Sequence, residues 1–490
     1  MEEKDNKYRV YLDGGVGQDP YDPEPMAPDP QRMGEVPFCL GIVGDFSGRR
    51  SRLKGGEDPD LAGRPLRRVT PENVLKLAGL KPEIVLSGLP EGPPQLPVPF
   101  STMDDFHPDR LYDRLDLFRN HRDARERLKA GGVAVDDEPE APGSGLLDAV
   151  LGETERETPK TGSDLEEDLD AFIRRVVRPH AVKAAPDHSG RLEELDRQTS
   201  VLMRALMHSP EFQELESLWR SVVFLLSLAE VSTNLRVYLI DVSEGELIAD
   251  ILATDEPTEW GFGHTVLSPI SEKGEELRWA ALLGAFEFGG EPHHVPLLQR
   301  IGLLAESGQV PWFAGAHSSL LGSRSLRDQP DPADWTEPLD PLWEELRNTP
   351  EAVWINLAFP GFLLRAPYGS GGRPTRRFGF GEEAVFPRDL LWGSPSILWG
   401  VVLAREFTRA GWNMRGGGRH TVSGIPLYPT VDGWATCVPV TLSITGASQA
   451  QEMGLNPLVA PRNEPEVHLQ GPGSISTSEK GLGAWWRNPI

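Results

Sequence analysis

A glycine-containing loop near the amino terminus is the first place where the sequence could support phosphate chemistry. The loop, VGDFSGRR at residues 43–50, follows a strongly apolar segment. Backbone amides of such loops can hold phosphate, but this spacing matches neither Gly-x-x-x-x-Gly-Lys-Ser/Thr nor Gly-x-Gly-x-x-Gly. We therefore favour a structural interpretation, in which Asp45 and Arg49 form a tight turn or an ion pair at the end of a strand.

Histidine and cysteine residues offer little support for a metal site. His293 and His294 are adjacent in GEPHHVP. On a strand such neighbours point apart, and no third ligand lies at zinc-site spacing, so we expect a surface pair. Cys39 and Cys437 lie in apolar runs and are predicted to be buried thiols in a reducing compartment rather than a disulfide. The absence of Cys-x-x-Cys excludes a cysteine zinc site.

A basic, glycine-rich segment, FLLRAPYGSGGRPTRR at residues 362–377, is the most conspicuous loop. Its first arginine, Arg365, ends an apolar strand. Its basic cluster consists of Arg373, Arg376 and Arg377. Two interpretations stay open: the loop faces an acidic partner, or it is solvated while Arg365 pairs with an acid such as Glu382 or Glu383.

Evidence for a catalytic serine is weak. No Gly-x-Ser-x-Gly elbow is present, although GSRS and GSPS offer serines. The segment GWNMRGGGRHTVSG, residues 411–424, is again rich in glycine and basic residues and could face a ligand. An enzyme with its site at the carboxyl edge of a sheet, near Arg365 and these loops, is the less favoured alternative.

Composition limits the classes of function. The chain has 490 residues, 39% of them hydrophobic, and a formal net charge of −25. Such an acidic chain is poorly suited to bind nucleic acid as its main ligand. No run of 18 apolar residues predicts a transmembrane helix, and the charged start MEEKDNKYRVYLDGG argues against a secretory signal.

The pattern of strands and helices that must position these residues predicts an α/β fold. Strand and helix patterns alternate after about residue 234, which favours a mixed, largely parallel sheet. We expect a small α/β domain, then a helical segment, then a larger α/β domain. The predicted segments are a flexible arm with a donatable strand, YRVYL (1–36), a small domain (37–130), an acidic linker with short helices (131–190), a large domain (191–465) and a polar tail (466–490).

Helix boundaries can be read from capping residues. Thr70 and Pro71 predict a helix start, and a continuous amphipathic helix is predicted over residues 108–128. Ser209 and Pro210 predict the start of a second helix in a long pair. Apolar residues then recur at helical spacing, namely Phe212, Leu215, Trp219, Val222 and Leu226.

Several motifs, taken in order, resemble a known family. PFCLGIVGDFSGRR, RRVTPENVLKL and VPFSTMDDFHPDRLYDRLDLF resemble the small subunit (TssB, or VipA) of the bacterial type VI secretion contractile sheath. LLDAVLGETE, LMHSPEFQELESLWRSVVFLL, LRVYLIDVSEGEL, WINLAFPGFLLRAPYG and LLWGSPSILWGVVLAREFTRAGW resemble its large subunit (TssC, or VipB). The chain thus looks like a natural fusion of a small subunit and a C-terminally shortened large subunit, matching over roughly residues 37–465.

The resemblance implies architecture rather than catalysis. In this interpretation Trp219 is buried packing and Arg220 is a structural ion-pair partner. The motif positions are Asp45, Phe46, Arg49, Phe212, Glu216, Trp219, Arg220, Arg365, Pro367, Tyr368 and Trp392. The short apolar helix around Leu146, Leu147, Val150 and Leu151 aligns with the segment that a ClpV-type unfoldase recognises in the family, and a plain packing helix is the alternative.

The implied function is mechanical. Subunits would stack around an inner tube, joined by strands donated between neighbours, and would drive effector delivery by contraction. The implied partners are copies of the chain or other sheath subunits, an Hcp-like inner tube, baseplate proteins and a ClpV-type AAA+ unfoldase. The implied location is the bacterial cytoplasm, near a baseplate attached to the inner membrane, and no cofactor is implied except ATP at the unfoldase. A sheath-derived adaptor or cap that does not polymerise is the alternative within this class.

Overall fold

The computed structural model describes residues 36–52, 61–129, 188–268, 270–272, 275–369, 373–384, 387–414, 417–430, 432–478 and 481–484. The predicted strand YRVYL and the predicted helix around Leu146 lie outside these ranges. None of the described helices is both long and apolar enough to cross a membrane.

The helices and strands are numbered in chain order. The α-helices are α1 (Pro108–Arg114), α2 (Arg119–Lys129), α3 (His188–Met207), α4 (Pro210–Leu228), α5 (Glu244–Ile251), α6 (Gly261–Leu267), α7 (His294–Gly308), α8 (Pro341–Arg347), α9 (Pro395–Ala410) and α10 (Ile444–Glu452). The strands are β1 (Phe38–Gly44), β2 (Arg67–Val69), β3 (Glu83–Ser87), β4 (Gln95–Pro99), β5 (Leu235–Asp241), β6 (Ile270–Glu272), β7 (Glu275–Leu277), β8 (Trp279–Phe288), β9 (Trp312–Ala316), β10 (Ile355–Phe359), β11 (Phe362–Arg365), β12 (Leu391–Gly393), β13 (Arg419–Ser423), β14 (Tyr428–Pro429), β15 (Ala435–Thr436), β16 (Asn456–Pro457) and β17 (Glu466–Gln470).

A seven-stranded sheet organises the fold, with strand order β16-β10-β9-β8-β1-β5-β2. Strand β1 lies between β5 and β8 and is parallel to both, so that Leu40 is level with Val237 on one side and Ala281 on the other. Every residue of β1 is buried, as its apolar sequence FCLGIVG predicts for a strand covered on both faces. Only β2 is antiparallel, at one edge. The predicted α/β class with a mixed, largely parallel sheet is confirmed.

The sheet separates two hydrophobic cores, because successive side chains of a strand point to opposite faces. Leu40 and Ile42 of β1 pack on one side with helices α3, α4 and α9. Cys39 and Val43 pack on the other side with helices α5 to α8. Strands predicted to lie in separate segments of the chain thus contribute to the same two cores.

Some predicted helices differ from the observed ones. Ser209 and Pro210 begin α4 as predicted. The helix predicted after Thr70 is instead a turn followed by a 3-10 segment, Val74–Gly79, in which Leu77 and Ala78 have positive φ angles. Thr70 and Asn73 bond each other's backbone amides with their side chains, which is the reciprocal pattern of a helix start, but the left-handed backbone at Leu77 and Ala78 ends the helical run after about one turn. The predicted continuous helix over 108–128 is broken at Leu115, whose extended backbone separates α1 from a 3-10 turn and α2.

Candidate functional site

The turn after β1 is tied to the end of β5. The carboxylate of Asp45 accepts hydrogen bonds from the backbone amides of Arg49 (2.8 Å) and Arg50 (2.7 Å), which closes the turn. The Arg49 guanidinium then donates to Asp241 at 2.8 Å and to Glu246 at 3.4 Å. Burial raises the pKa of Asp45 despite its two amide donors. Asp45 and Arg49 therefore have structural roles. The backbone amides of Arg49 and Arg50 already donate to Asp45, so they are not available to bind a phosphate.

Trp219 anchors helix α4 beneath the same turn. Its indole Nε1 donates to the backbone oxygen of Phe46 at 3.0 Å, and the two rings meet edge to face at 5.3 Å. Trp219 is fully buried. Phe212, two turns nearer the helix start, packs against Phe100 and Phe106. Side chains of α4 therefore join residues before position 130 to residues after position 188.

Arg365 lies at the centre of a buried ion cluster. Its guanidinium bonds both oxygens of Glu216, at 2.8 and 3.0 Å, and both oxygens of Glu382, at 2.6 and 2.9 Å. Arg220 shares Glu216 at 2.7 Å and donates to the Tyr368 hydroxyl at 3.2 Å. The guanidinium of Arg365 also lies 4.6 Å from the Tyr368 ring centre. The two arginines and two glutamates balance in charge.

The electrostatics of this cluster favour its charged form. Burial alone would raise the pKa of Glu382, but Arg365, His208 and the amide of Tyr368 lower it to about 2. Burial opposes a charge on Arg365, yet Glu216 and Glu382 hold its pKa well above its usual value. Burial raises the pKa of Tyr368. With each charge paired and only 4% of the Arg365 side chain exposed, this arginine is not available to a substrate.

The histidine pair was predicted wrongly. His293 precedes α7 and His294 is its first residue, so they are not on a strand, and His294 is buried. Glu244 supplies the third group that the sequence did not reveal, because the candidate ligand atoms of these three residues lie within 4.8 Å of one another.

The hydrogen bonds of His294 nevertheless argue against a metal. Its Nδ1 accepts from the backbone amides of Gly289 (3.1 Å) and Glu291 (3.2 Å), while Nε2 lies 3.0 Å from a Glu244 oxygen. This pattern assigns the ring proton to Nε2. A metal on Nε2 would require the proton to move to Nδ1, where two N–H groups already point. The arrangement therefore fits a structural histidine–carboxylate pair.

Comparison with known families identifies the type of protein. The VipA model, described as "Type VI secretion system, VipA, VC_A0107 or Hcp2", matches residues 20–158. The VipB model, described as "EvpB/VC_A0108, tail sheath N-terminal domain", matches residues 189–476, more than half of the chain. The chain belongs to the VipB tail sheath family. It carries a VipA-type part and a VipB-type part in one polypeptide, as the sequence motifs implied.

A curated relative supports the same assignment. The chain is 27% identical over 291 residues to the type VI secretion system sheath protein TssC1 of Pseudomonas aeruginosa. The match covers 55% of this chain and 57% of TssC1, so the chain spans little more than half of that relative's length. Both matched families are families of a structural sheath.

The predicted basic loop lies against the VipA-type part. The backbone amides of Arg376 and Arg377 donate to Asp109 of α1, at 3.0 and 3.1 Å, and the Arg377 side chain bonds Asp113 at 2.8 Å. The backbone oxygen of Arg373 accepts from the amide of Gly369. A role for this loop in facing a partner stays a prediction.

The remaining motif residues are packing residues at the VipB-type side of the cluster. Pro367 lies half-buried between Arg365 and Tyr368. The indole of Trp392 donates to the backbone oxygen of Pro387 at 2.7 Å, and its ring packs edge to face on Tyr428. The predicted unfoldase-recognition helix at Leu146, Leu147, Val150 and Leu151 lies outside the described residues.

Sequence reasoning missed the partners that complete these contacts. Arg49 forms ion pairs with Asp241 and Glu246. Asp109 accepts hydrogen bonds from backbone amides of the basic loop. Asp241 could have been suspected, since it is the only acid in the strand LRVYLID and stands at its carboxyl end. Asp109 and Arg376 are 267 positions apart, and no local sequence pattern predicts a contact between residues so far apart in the chain.

Proposed function

We propose that this chain is a structural subunit of a type VI secretion-like contractile sheath. The observation that carries the proposal is the position of β1: a strand of the VipA-type part forms the middle of the sheet of the VipB-type part. Family membership supports the sheath role. The function is mechanical, with copies stacked around an inner tube and contraction as a rigid-body rearrangement of packed subunits.

The contacts between the two parts suit a body that transmits force. β1 has a parallel ladder on each side, and the Trp219–Phe46 and Arg49–Asp241 contacts fix the turn that follows it. Pulling the two parts apart would break these contacts together, because they belong to one packed core. A sheath subunit built in this way would move as one unit.

The partners follow from the same proposal. They are neighbouring copies or other sheath subunits, an Hcp-like inner tube and baseplate proteins, in the bacterial cytoplasm near the baseplate. The arm with YRVYL and the linker at 131–145 are the proposed connections between neighbours. The segment Leu146–Leu151 is the proposed recognition helix for a ClpV-type unfoldase.

Fluorescence microscopy in the native bacterium tests this role. A green fluorescent protein fused to the chain should form long filaments that shorten abruptly, and deletion of the inner-tube gene should remove them. Diffuse fluorescence in the presence of the inner tube would contradict a polymerising sheath and would favour the non-polymerising adaptor. A strain expressing the fluorescent protein alone is the control.

A further inference from the structure

A large cleft opens at the carboxyl edge of the sheet. Its volume is about 670 Å³. The ends of β1, β8, β9 and β10 and the amino-terminal ends of α5, α7 and α9 surround it. In open α/β sheets, ligands bind in the crevice at this edge, where consecutive connections leave the sheet in opposite directions. Here the connections diverge around β1, because β5 and β8 lie on its two sides.

The cleft carries an excess of negative charge. Its acidic residues are Asp45, Glu211, Glu214, Glu244 and Glu287, and its arginines are Arg50 and Arg327. The lining therefore has three more acidic side chains than arginines. Both Glu214 and Glu287 are exposed to solvent at the cleft, and partial desolvation by the surrounding walls raises the pKa of each carboxyl.

Two polar side chains in the cleft lack partners within the described part of the chain. Glu287 makes no hydrogen bond or ion pair there, whereas Glu214 pairs with Arg50 at 2.8 Å. Ser221 of α4 is only 2% exposed and lines the cleft, yet its hydroxyl bonds no described group. The hydroxyl faces the cleft without a bond to the helix carbonyl four residues earlier, so it is available to a polar group that enters the cleft.

The apolar part of the wall distinguishes between kinds of cation. Leu215, Leu218, Phe286, Trp392 and Val440 line the cleft beside the carboxylates. A metal ion would gain nothing from these side chains. Lysine and arginine carry a charged head on an apolar stem, so they can use the apolar wall and the carboxylates together. The volume is also sufficient for several residues of a peptide.

We propose that this cleft binds a lysine- or arginine-bearing segment of a partner chain. The basic head groups lie at Glu287 and Glu214, the aliphatic stems lie on α4 and Phe286, and Ser221 bonds the backbone of the segment. This inference rests on the proposed function, since it gives the sheath subunit a docking site for a neighbour in the assembly. Glu287 is the residue on which binding depends most, because it forms no hydrogen bond or ion pair within the described ranges.

Binding of a synthetic peptide to the purified full-length protein tests the inference. The probe is the fluorescein-labelled peptide Gly-Leu-Lys-Leu-Arg-Leu-Gly, and the reference is the same peptide with glutamine in place of lysine and arginine. Fluorescence anisotropy at low salt should show at least about tenfold tighter binding of the basic peptide, and added salt should reduce this difference.

Variants locate the binding. The double variant Glu214→Gln/Glu287→Gln should weaken binding of the basic peptide about tenfold or more, and Ser221→Leu should weaken it by removing the hydroxyl and adding bulk at the cleft wall. The matched control is Asp328→Asn/Glu383→Gln, which removes two carboxylates that do not line the cleft and should leave binding unchanged. Circular dichroism spectra confirm that each variant is folded, and the glutamine variants keep the test valid if Ser221→Leu unfolds.

Three results would overturn the inference: no binding of the basic peptide at millimolar concentration, equal binding of both peptides, or equal effects of the cleft and control variants. Displacement of the peptide by spermidine at equal affinity would also overturn it, because the cleft would then be a site for small cations. Electron microscopy of the same samples separates the two proposals. Tubes without peptide binding contradict only the cleft, and peptide binding without tubes contradicts only the sheath function.

Discussion

The Nη1 atom of Arg365 lies 2.6 Å from Oε2 of Glu382, and both side chains are almost completely buried. Arg365 ends β11, and Glu382 follows 17 positions later, so the ion pair closes the glycine-rich loop between them. Glu216 of α4 bonds the same guanidinium from the opposite side. The loop is thereby fixed to the helix whose Trp219 contacts the VipA-type part.

Removal of the arginine should destabilise the protein strongly. Arg365→Met keeps the bulk of the side chain but leaves two buried carboxylates short of a cation, and we expect a loss of about 3–5 kcal/mol in the free energy of unfolding. Urea unfolding followed by tryptophan fluorescence measures it. Arg377→Met, at the exposed pair with Asp113, is the matched control and should cost less than about 1 kcal/mol. Equal losses in the two variants would contradict the structural role of Arg365.

The Glu382 carboxylate should make stability depend on acid pH. Its pKa is lowered from 4.5 to about 2 in the folded protein, so its stabilising contribution is present above pH 4.5 and is lost as the pH falls through about 2. A shift of this size corresponds to about 3 kcal/mol. Melting temperatures of wild type and Glu382→Gln, measured from pH 7 to pH 2, should converge at the acid end. Parallel curves would show that Glu382 does not titrate in this window.

Glu287 should behave in the opposite way. Burial raises its pKa, so its ionisation in the folded protein costs stability at neutral pH, and this cost disappears as the pH falls below the raised pKa. Glu287→Gln should therefore raise the melting temperature at pH 7 and have little effect at pH 4. Asp328→Asn is the surface control and should change neither value. A lower melting temperature for Glu287→Gln at pH 7 would mean that the carboxylate has a stabilising partner.

The two family parts should not fold independently. Without β1, strands β5 and β8 would each have an unpaired edge, and the core would lose Phe38, Leu40 and Ile42. We expect residues 188–490 to be insoluble when expressed alone and to purify as a one-to-one complex when co-expressed with residues 1–187. A folded, monomeric product of residues 188–490 would contradict the shared sheet.

The sequence was a good guide wherever a local pattern decides the structure. The apolar run FCLGIVG predicted a buried strand, and the apolar spacing from Phe212 to Leu226 predicted the buried face of α4. Local patterns failed where two structures compete over a few residues. The left-handed backbone at Leu77 and Ala78 ends the helix that Thr70 begins, and the extended backbone at Leu115 interrupts an otherwise amphipathic stretch.

The candidate sites depended more on distant contacts than on motifs. Sequence could suggest that Arg365 needs an acid, and Glu382 lies close enough along the chain to be considered. Glu216, the second acid, is 149 positions away, and the cleft combines residues from six strands and four helices. Charge and spacing along the chain do not predict contacts between such distant residues, because these contacts are produced by the order of strands in the sheet.

Electron microscopy of the purified protein tests the central claim most directly. The chain should be imaged by negative stain alone and together with the Hcp-like inner-tube protein from the same bacterium. The sheath account predicts tubes or stacked rings of regular width, with the inner tube promoting their growth. A monodisperse monomer under both conditions would contradict the account and would favour an adaptor that binds a sheath without forming one.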